Sequence, residues 1–257
     1  NGTICASEQA IVAEDCIADE LIRHLQNNGA YFLNSEEVQK VSKVVMLPQG
    51  GMNPKVVGKE AKFVAQMAGI NVPENTLCLV APLQGVGPQY PLSHEKLTTV
   101  LAFYRVRDWH EGCERCIQLL NAGGLGHSLV IHSENMEVIR EFGLKKPIFR
   151  VLVNTPSSLG GVGATTGLAP SFTLGCGTWG GSSVSDNVTP LHLINIKRVA
   201  WNTRDPKTLL KPRSNAQASC AGDWSEKTSP TFAASNNQQL VQEIVEQVIR
   251  HLKNNRF

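Results

Sequence analysis

The chain has 257 residues, 42% of them hydrophobic and 18% charged, with a formal net charge of +2. Those proportions suit a globular protein with a sizeable core in one large domain or two smaller ones. No basic cluster interleaved with aromatics suggests a nucleic-acid surface, and no apolar run approaches the ~18 residues that mark a membrane span. Seven cysteines, an odd number without the spacing of a disulfide framework, read as reduced thiols in a cytoplasmic setting. The first residue is Asn1 and no signal-peptide pattern follows it, so the chain reads as part of a longer protein.

In chain order, Ala10 to Ala13 read as a strand. Ile17, Ala18, Leu21, Ile22 and Leu25 then recur at helical spacing until Asn27-Asn28-Gly29 stops the helix. Ser35 is placed to cap a second helix carrying Val38, Val41 and Val45, and Lys59 to Ala68 form a third before Gly69. Strands follow at Leu77 to Ala81 and Val100 to Val106. Asp108 with Glu111 makes a capping-box-like start to a helix that runs to Asn121, before Gly123-Gly124. Ser128 to His132 is a strand, Glu134 to Phe142 a helix and Phe149 to Val153 a strand, an alternation that implies an α/β layer with a mainly parallel sheet. Glycine-rich loops fill Gly160 to Gly181, and Leu193 to Trp201 offer one last strand. From Asn202 to Asn237 the composition is that of a linker. Beyond it Leu240, Val241, Ile244, Val245, Val248, Ile249 and Leu252 form one stripe of an amphipathic helix, which suits either docking to a partner or packing on its own domain.

Most motif matches carry no chemistry. Cys113-Glu-Arg-Cys116 has half the spacing of a zinc site and no second ligand pair, and its cysteines share a helix face with Trp109, Ile117 and Leu120, which reads as core packing. Gly161-Val-Gly163 lacks the third glycine of a dinucleotide fingerprint, and His94-Glu95-Lys96-Leu97 lacks the second histidine of a zinc helix. Asn1-Gly-Thr3 and Asn187-Val-Thr189 match the glycosylation pattern by chance. Cys5 is the exception. It sits in a polar, small-residue turn before a strand, where a thiol can face substrate and backbone N–H groups can receive an oxyanion, although most single cysteines are inert.

The segment Asn1-Gly-Thr-Ile-Cys5-Ala-Ser-Glu-Gln9 resembles the nucleophile segment of the CoA-acylating branch of the aldehyde dehydrogenase superfamily. Further blocks follow in the same order: His94-Glu95-Lys96-Leu97, Gly124-Leu-Gly126-His127-Ser128, Leu152-Val-Asn154-Thr-Pro156, and Leu174 to Asn187 followed by His192-Leu-Ile-Asn195. The resemblance runs from Asn1 to about Val199. It implies an α/β aldehyde dehydrogenase catalytic domain over residues 1–201, with an oligomerisation strand near 193–201, a flexible linker over 202–238 and an amphipathic docking helix over 239–257. Most of the family's NAD-binding domain would then lie upstream of Asn1.

The same resemblance implies oxidation of a short-chain aldehyde with NAD and coenzyme A, giving acyl-CoA and NADH. Cys5 would be the catalytic nucleophile, carrying first a thiohemiacetal and then a thioester. A thiol at its ordinary pKa of about 8.5 is mostly protonated at neutral pH, so such a site must favour the anion. His127 matches a histidine near the thioester that can take the CoA thiol proton, and Glu95 matches the carboxylate that binds the nicotinamide ribose. Cys176 falls in a loop lining the substrate entrance, and no metal is implied. Implied partners are the aldehyde, other copies of the chain and, because the tail is similar to encapsulation peptides, a bacterial microcompartment shell protein; nucleic acid and membrane are not among them. The setting is cytoplasmic or the lumen of a microcompartment. Two readings from other classes stay open: a cysteine acyltransferase or hydrolase that needs no nicotinamide, and a non-catalytic cargo-docking module.

Overall fold

A computed structural model describes residues 1–209. Residues 1–196 form one compact unit. Its larger sheet has four parallel strands in the order β1-β4-β3-β2: β1 (Ala10–Glu14), β2 (Ala30–Phe32), β3 (Cys78–Pro82) and β4 (Val100–Val106). Ala10 stands beside Ala102, Val100 beside Leu79, and Ala30 beside Cys78. The side-chain period of a strand then sorts the core. Leu79, Ala81, Val100, Ala102 and Tyr104 point to one face, where they pack with Val41, Val45, Val56, Ala61 and Val64 from helices α2 (Ser35–Val45) and α3 (Ala61–Met67) and the loop between them. Val80 and Phe103 point to the other face, against Ala18, Leu21, Ile22 and Leu25 of helix α1 (Asp15–Asn27). Helix α4 (Trp109–Ala122) packs on β1 and β4.

A second sheet has two parallel strands, β5 (Gly126–Ile131) and β6 (Ile148–Val153), joined by helix α5 (Met136–Lys145) and followed by the short helix α6 (Ser157–Gly161). The glycine-rich stretch after α6 wraps this pair with almost no regular structure, apart from a turn of 3-10 helix at Thr178–Gly180.

The expected α/β class and parallel pairing are present. At the element ends the structure corrects the expectations through local hydrogen bonding. Asn34, not Ser35, caps α2: its side chain accepts from Glu37 N at 2.9 Å while the Glu37 carboxylate accepts from Asn34 N. The third helix starts at Ala61, since Glu60 is still extended. Asp108 caps α4 by accepting from His110 N and Glu111 N, but Glu111 turns to Arg107 instead of closing the box. Asn135 caps α5, which moves that helix two residues downstream of the expected start.

Among the described residues, Leu193 to Trp201 forms no strand within the single chain. It has no ladder partner among the described residues, and Leu193 and Trp201 are 80% and 79% exposed. Residues 202–207 are exposed, and Pro206–Leu209 make one helical turn, α7. The remainder of the expected linker and the docking helix at 239–257 lie outside the described residues. Among the described residues no helix is long and apolar enough to cross a membrane.

Candidate active site

Cys5 sits at the tip of a tight turn. Ser7 N donates to Ile4 O at 2.8 Å across Cys5 and Ala6, which leaves the Cys5 side chain exposed while Ala6 is buried as the anchor. Gly161 makes room for that anchor, because a Cβ there would stand 3.3 Å from Ala6 Cβ. Both flanks of the turn are tied to other elements. On one side, Glu8 accepts from Ser157 N at 2.8 Å at the start of α6. On the other, Lys96 N donates to Gln9 Oε1 at 2.9 Å and Lys96 Nζ donates to Gln9 O at 3.1 Å.

Lys96 is fully buried, and its Nζ also donates to Leu92 O and His94 O. Burial pulls this ammonium down to about 7, opposed by the nearby Glu95 charge. Three carbonyl acceptors use all three protons of the charged form, so the geometry is that of an ammonium. Lys96 thereby fixes the loop that exposes Glu95, and the next residue, Leu97, is held at φ +47°. That loop runs along the first residues of the chain, with Thr98 against Gly2 and Leu97 O accepting from Gly58 N. Glu95 is thus an exposed residue on the loop that Lys96 ties to Gln9, just after the Cys5 turn.

His127 lies on β5, in the second sheet, and Arg150 of β6 ties it to the rest of the site. Arg150 is 3% exposed. Its acceptors are all neutral: Asn187 Oδ1 at 3.1 Å, Gly175 O at 3.3 Å, and Ser185 O, His127 O and Ser128 Oγ each at 3.4 Å. Ser128 Oγ in turn meets His127 Nδ1 at 3.0 Å. Burial first, and then the Arg150 charge, push the imidazole below its ordinary value, so it is neutral at neutral pH. The same guanidinium is within electrostatic reach of Cys5 and Cys176, and Arg150 is itself pulled down by burial. Cys176, half-buried in the glycine-rich loop, has its thiol pushed up by burial.

That loop approaches β5 through glycine. Gly126 has φ +76°, and a Cβ there would fall 1.9 Å from Cys176 O. Asn187 is 4% exposed, with its amide donating to Gly161 O and Ala169 O, so it is a structural residue of this loop and no glycan acceptor. Cys5, Glu95 and His127 are the residues the sequence offers for this site. Lys96, Ser128 and Arg150 hold these residues and carry no motif of their own, except that an arginine inside the apolar run Ile148–Val153 marks the last.

Among the described residues no group of three or more His, Cys, Asp and Glu side chains is placed to hold a metal ion. What the fold and site define is an α/β domain with an exposed cysteine, Cys5, on a turn tied through Gln9 to the loop that bears Glu95, and within electrostatic reach of the buried Arg150, which bonds to His127 O.

No protein-family model matches the chain. It is 42% identical over 205 residues to the bifunctional aldehyde-alcohol dehydrogenase AdhE of Escherichia coli (strain K12), a match covering 78% of this chain and 23% of that protein. The crystal structure of an acetylating aldehyde dehydrogenase from Geobacillus thermoglucosidasius superposes with a TM-score of 0.76 at 47% identity, covering 79% of this chain and 45% of that one. A propionaldehyde dehydrogenase from the Clostridium phytofermentans fucose utilisation bacterial microcompartment gives a TM-score of 0.62 at 28% identity, covering 70% and 40%. Over the residues matched, the chain belongs to the CoA-acylating branch of the aldehyde dehydrogenases. It spans about a quarter of the length of the bifunctional relative and under half of the solved ones.

Proposed function

We propose that the protein to which this chain belongs oxidises a short-chain aldehyde to its CoA thioester, with Cys5 as nucleophile. The observation that carries this is the exposed Cys5 thiol on a turn pinned from both sides, by Lys96 through Gln9 and by Ser157 through Glu8. When bound, NAD takes the hydride and coenzyme A takes the acyl group. Glu95 suits the first of these. It is an exposed carboxylate on a loop locked by Lys96, able to accept hydrogen bonds from ribose hydroxyls.

In this mechanism the Cys5 sulfur bonds to the aldehyde carbon, and the carbonyl electrons move onto oxygen, which backbone N–H groups of the turn stabilise. Loss of hydride from that carbon leaves a thioester on Cys5. His127, neutral because of burial and Arg150, takes the proton of the incoming thiol at a ring nitrogen. Arg150 supplies a fixed positive charge on the side of the site where the thiolate forms.

Three wider assignments belong to the same reading. The exposed apolar run at 193–201 pairs with another copy of the chain in a homo-oligomer, which gives its unpartnered backbone a ladder. The segment 239–257 docks on a microcompartment shell protein, and the enzyme works in that lumen. The microcompartment origin of one relative supports this last assignment.

The test is NADH formation by the full-length protein with acetaldehyde or propionaldehyde, with and without coenzyme A. We expect a rate that depends on coenzyme A and falls by about 10³-fold or more in Cys5→Ala, the scale of losing a covalent nucleophile. Equal rates without coenzyme A would assign the chain to a hydrolytic aldehyde dehydrogenase instead. Acyl-CoA turnover that ignores nicotinamide would favour a plain cysteine acyltransferase.

A further inference from the structure

Where α4 meets the segment entering β6, a group of reactive side chains lies outside the site just described. Lys146 is 5% exposed, its Nζ touches Cys113 Sγ, and it sits 4.2 Å from the centre of the Phe142 ring. The neighbouring Lys145 turns outward and pairs with Glu141, whereas Lys146 has no carboxylate ion pair among the described residues. Cys116, on the same face of α4, lies in electrostatic range of both Cys113 and Lys146, and burial pushes its thiol up to about 11. A buried amine in contact with a half-buried thiol, with no acid to neutralise it, is an unusual thing for a core to keep.

We propose that Cys113 and Lys146 form a reversible thiol–amine crosslink when the protein meets hydrogen peroxide. The Cys113 sulfur attacks one peroxide oxygen: an S–O bond forms, the O–O bond breaks, water leaves, and the sulfur is oxidised by two electrons as the peroxide is reduced. The Lys146 amine, its extra proton released to solvent, then attacks that sulfur. An S–N bond forms, the S–O bond breaks and a second water leaves. One thiol, one amine and one peroxide thus give one sulfenamide and two waters.

Cys116 is the competing partner, and geometry disfavours it. Residues three apart on a helix have Cβ atoms about 5–6 Å apart, while a disulfide needs about 3.8 Å, so that bond requires α4 to unwind. Lys146 is already in contact. Because α4 packs on β1 and β4, and Lys146 leads into β6 beside the strand that bears His127, the crosslink ties the helix packed on the larger sheet to the entry of the smaller one. The inference rests on this contact alone and does not depend on the proposed reaction.

The experiment is peptide mapping of the full-length protein after peroxide treatment, digested with trypsin without reductant. Cleavage after Arg115 separates the two cysteines, so each pairing leaves a different joined peptide. We expect Asp108–Arg115 joined to Lys146–Arg150, lighter than their sum by two hydrogens and released by dithiothreitol. The joined peptide should persist in Cys116→Ser and vanish in Cys113→Ser and in Lys146→Met. Asp108–Arg115 joined instead to the peptide beginning at Cys116 would overturn the proposal, as would Cys113 recovered only as sulfinic or sulfonic acid beside a free Lys146 peptide. Cys5 reports separately in its own peptide, so loss of aldehyde oxidation leaves this readout untouched.

Discussion

The two sheets of this molecule are held together by different physics. The four-stranded sheet is a sandwich of apolar side chains: Leu79, Val80, Val100 and Ala102 are wholly buried, with Val41, Val45 and Val64 closing over one face. The two-stranded sheet buries fewer apolar side chains, Ile148 and Leu152 with Val138 and Phe142 of α5, and adds close backbone approach and the buried Arg150. Arg150 reaches the carbonyls of Gly175 and Ser185, and Gly126 lets Cys176 O come within what would be bonding distance of a Cβ. Cys5 and Glu95 border the first kind of structure and His127 the second. The site therefore joins a part that tolerates changes of shape poorly to a part that tolerates changes of charge poorly.

The sharpest way to break that contrast is Arg150→Met. It removes a cation but strands Asn187 Oδ1 and several loop carbonyls without a donor, at about 3–5 kcal/mol, since each buried acceptor left unpaired costs about 1–3 kcal/mol. Urea denaturation should show this loss, together with protease cleavage in 173–188 before the rest of the unit opens. A loss below about 1 kcal/mol would mean that the loop holds itself, and that the contrast is false.

Leu79→Ala in the larger sheet should cost about 3 kcal/mol through lost burial and the cavity left behind. The form of the loss should differ from that of Arg150→Met: unfolding stays a single cooperative transition, followed equally by tryptophan fluorescence and circular dichroism. Smaller again is Asn34→Ala, at about 1 kcal/mol, because it opens the capping box at the start of α2 and touches nothing else. Asn34→Ser should recover most of that loss.

The same contrast explains what could be read from the chain. The α/β class, α1 and its stop at Gly29, and the strands of the larger sheet were legible, because burial on both faces of a parallel sheet leaves apolar runs separated by amphipathic helices. Strand β2 was not, because three residues carry too little pattern. Leu193 to Trp201 has strand composition but no partner strand among the described residues, and composition cannot say where a partner is. Cys5 stands out by its polar, small-residue turn, whereas Glu95 and His127 come from ordered family blocks rather than from periodicity. Arg150 and Lys96 escaped because they bond chiefly to backbone carbonyls, which every residue has and which leave no mark in the sequence.

The smallest expected effect is also the most local, and it concerns the seam between the two parts. His127 has its pKa lowered by burial and by Arg150, so in the interval below its ordinary value of 6.5 the unfolded chain binds more protons than the folded one. Stability must then rise with pH across that interval. The contribution is complete above 6.5 and is lost as acid protonates the ring. Unfolding free energies at about pH 5 and about pH 7.5 should therefore differ more for the wild type than for His127→Gln. Adding Arg150→Met to each should shrink the gap, because one of the two causes that hold the ring neutral is gone. Parallel pH profiles for wild type and His127→Gln would mean that the imidazole is as free in the folded protein as in water, with no cation beside it to keep it ready for a proton.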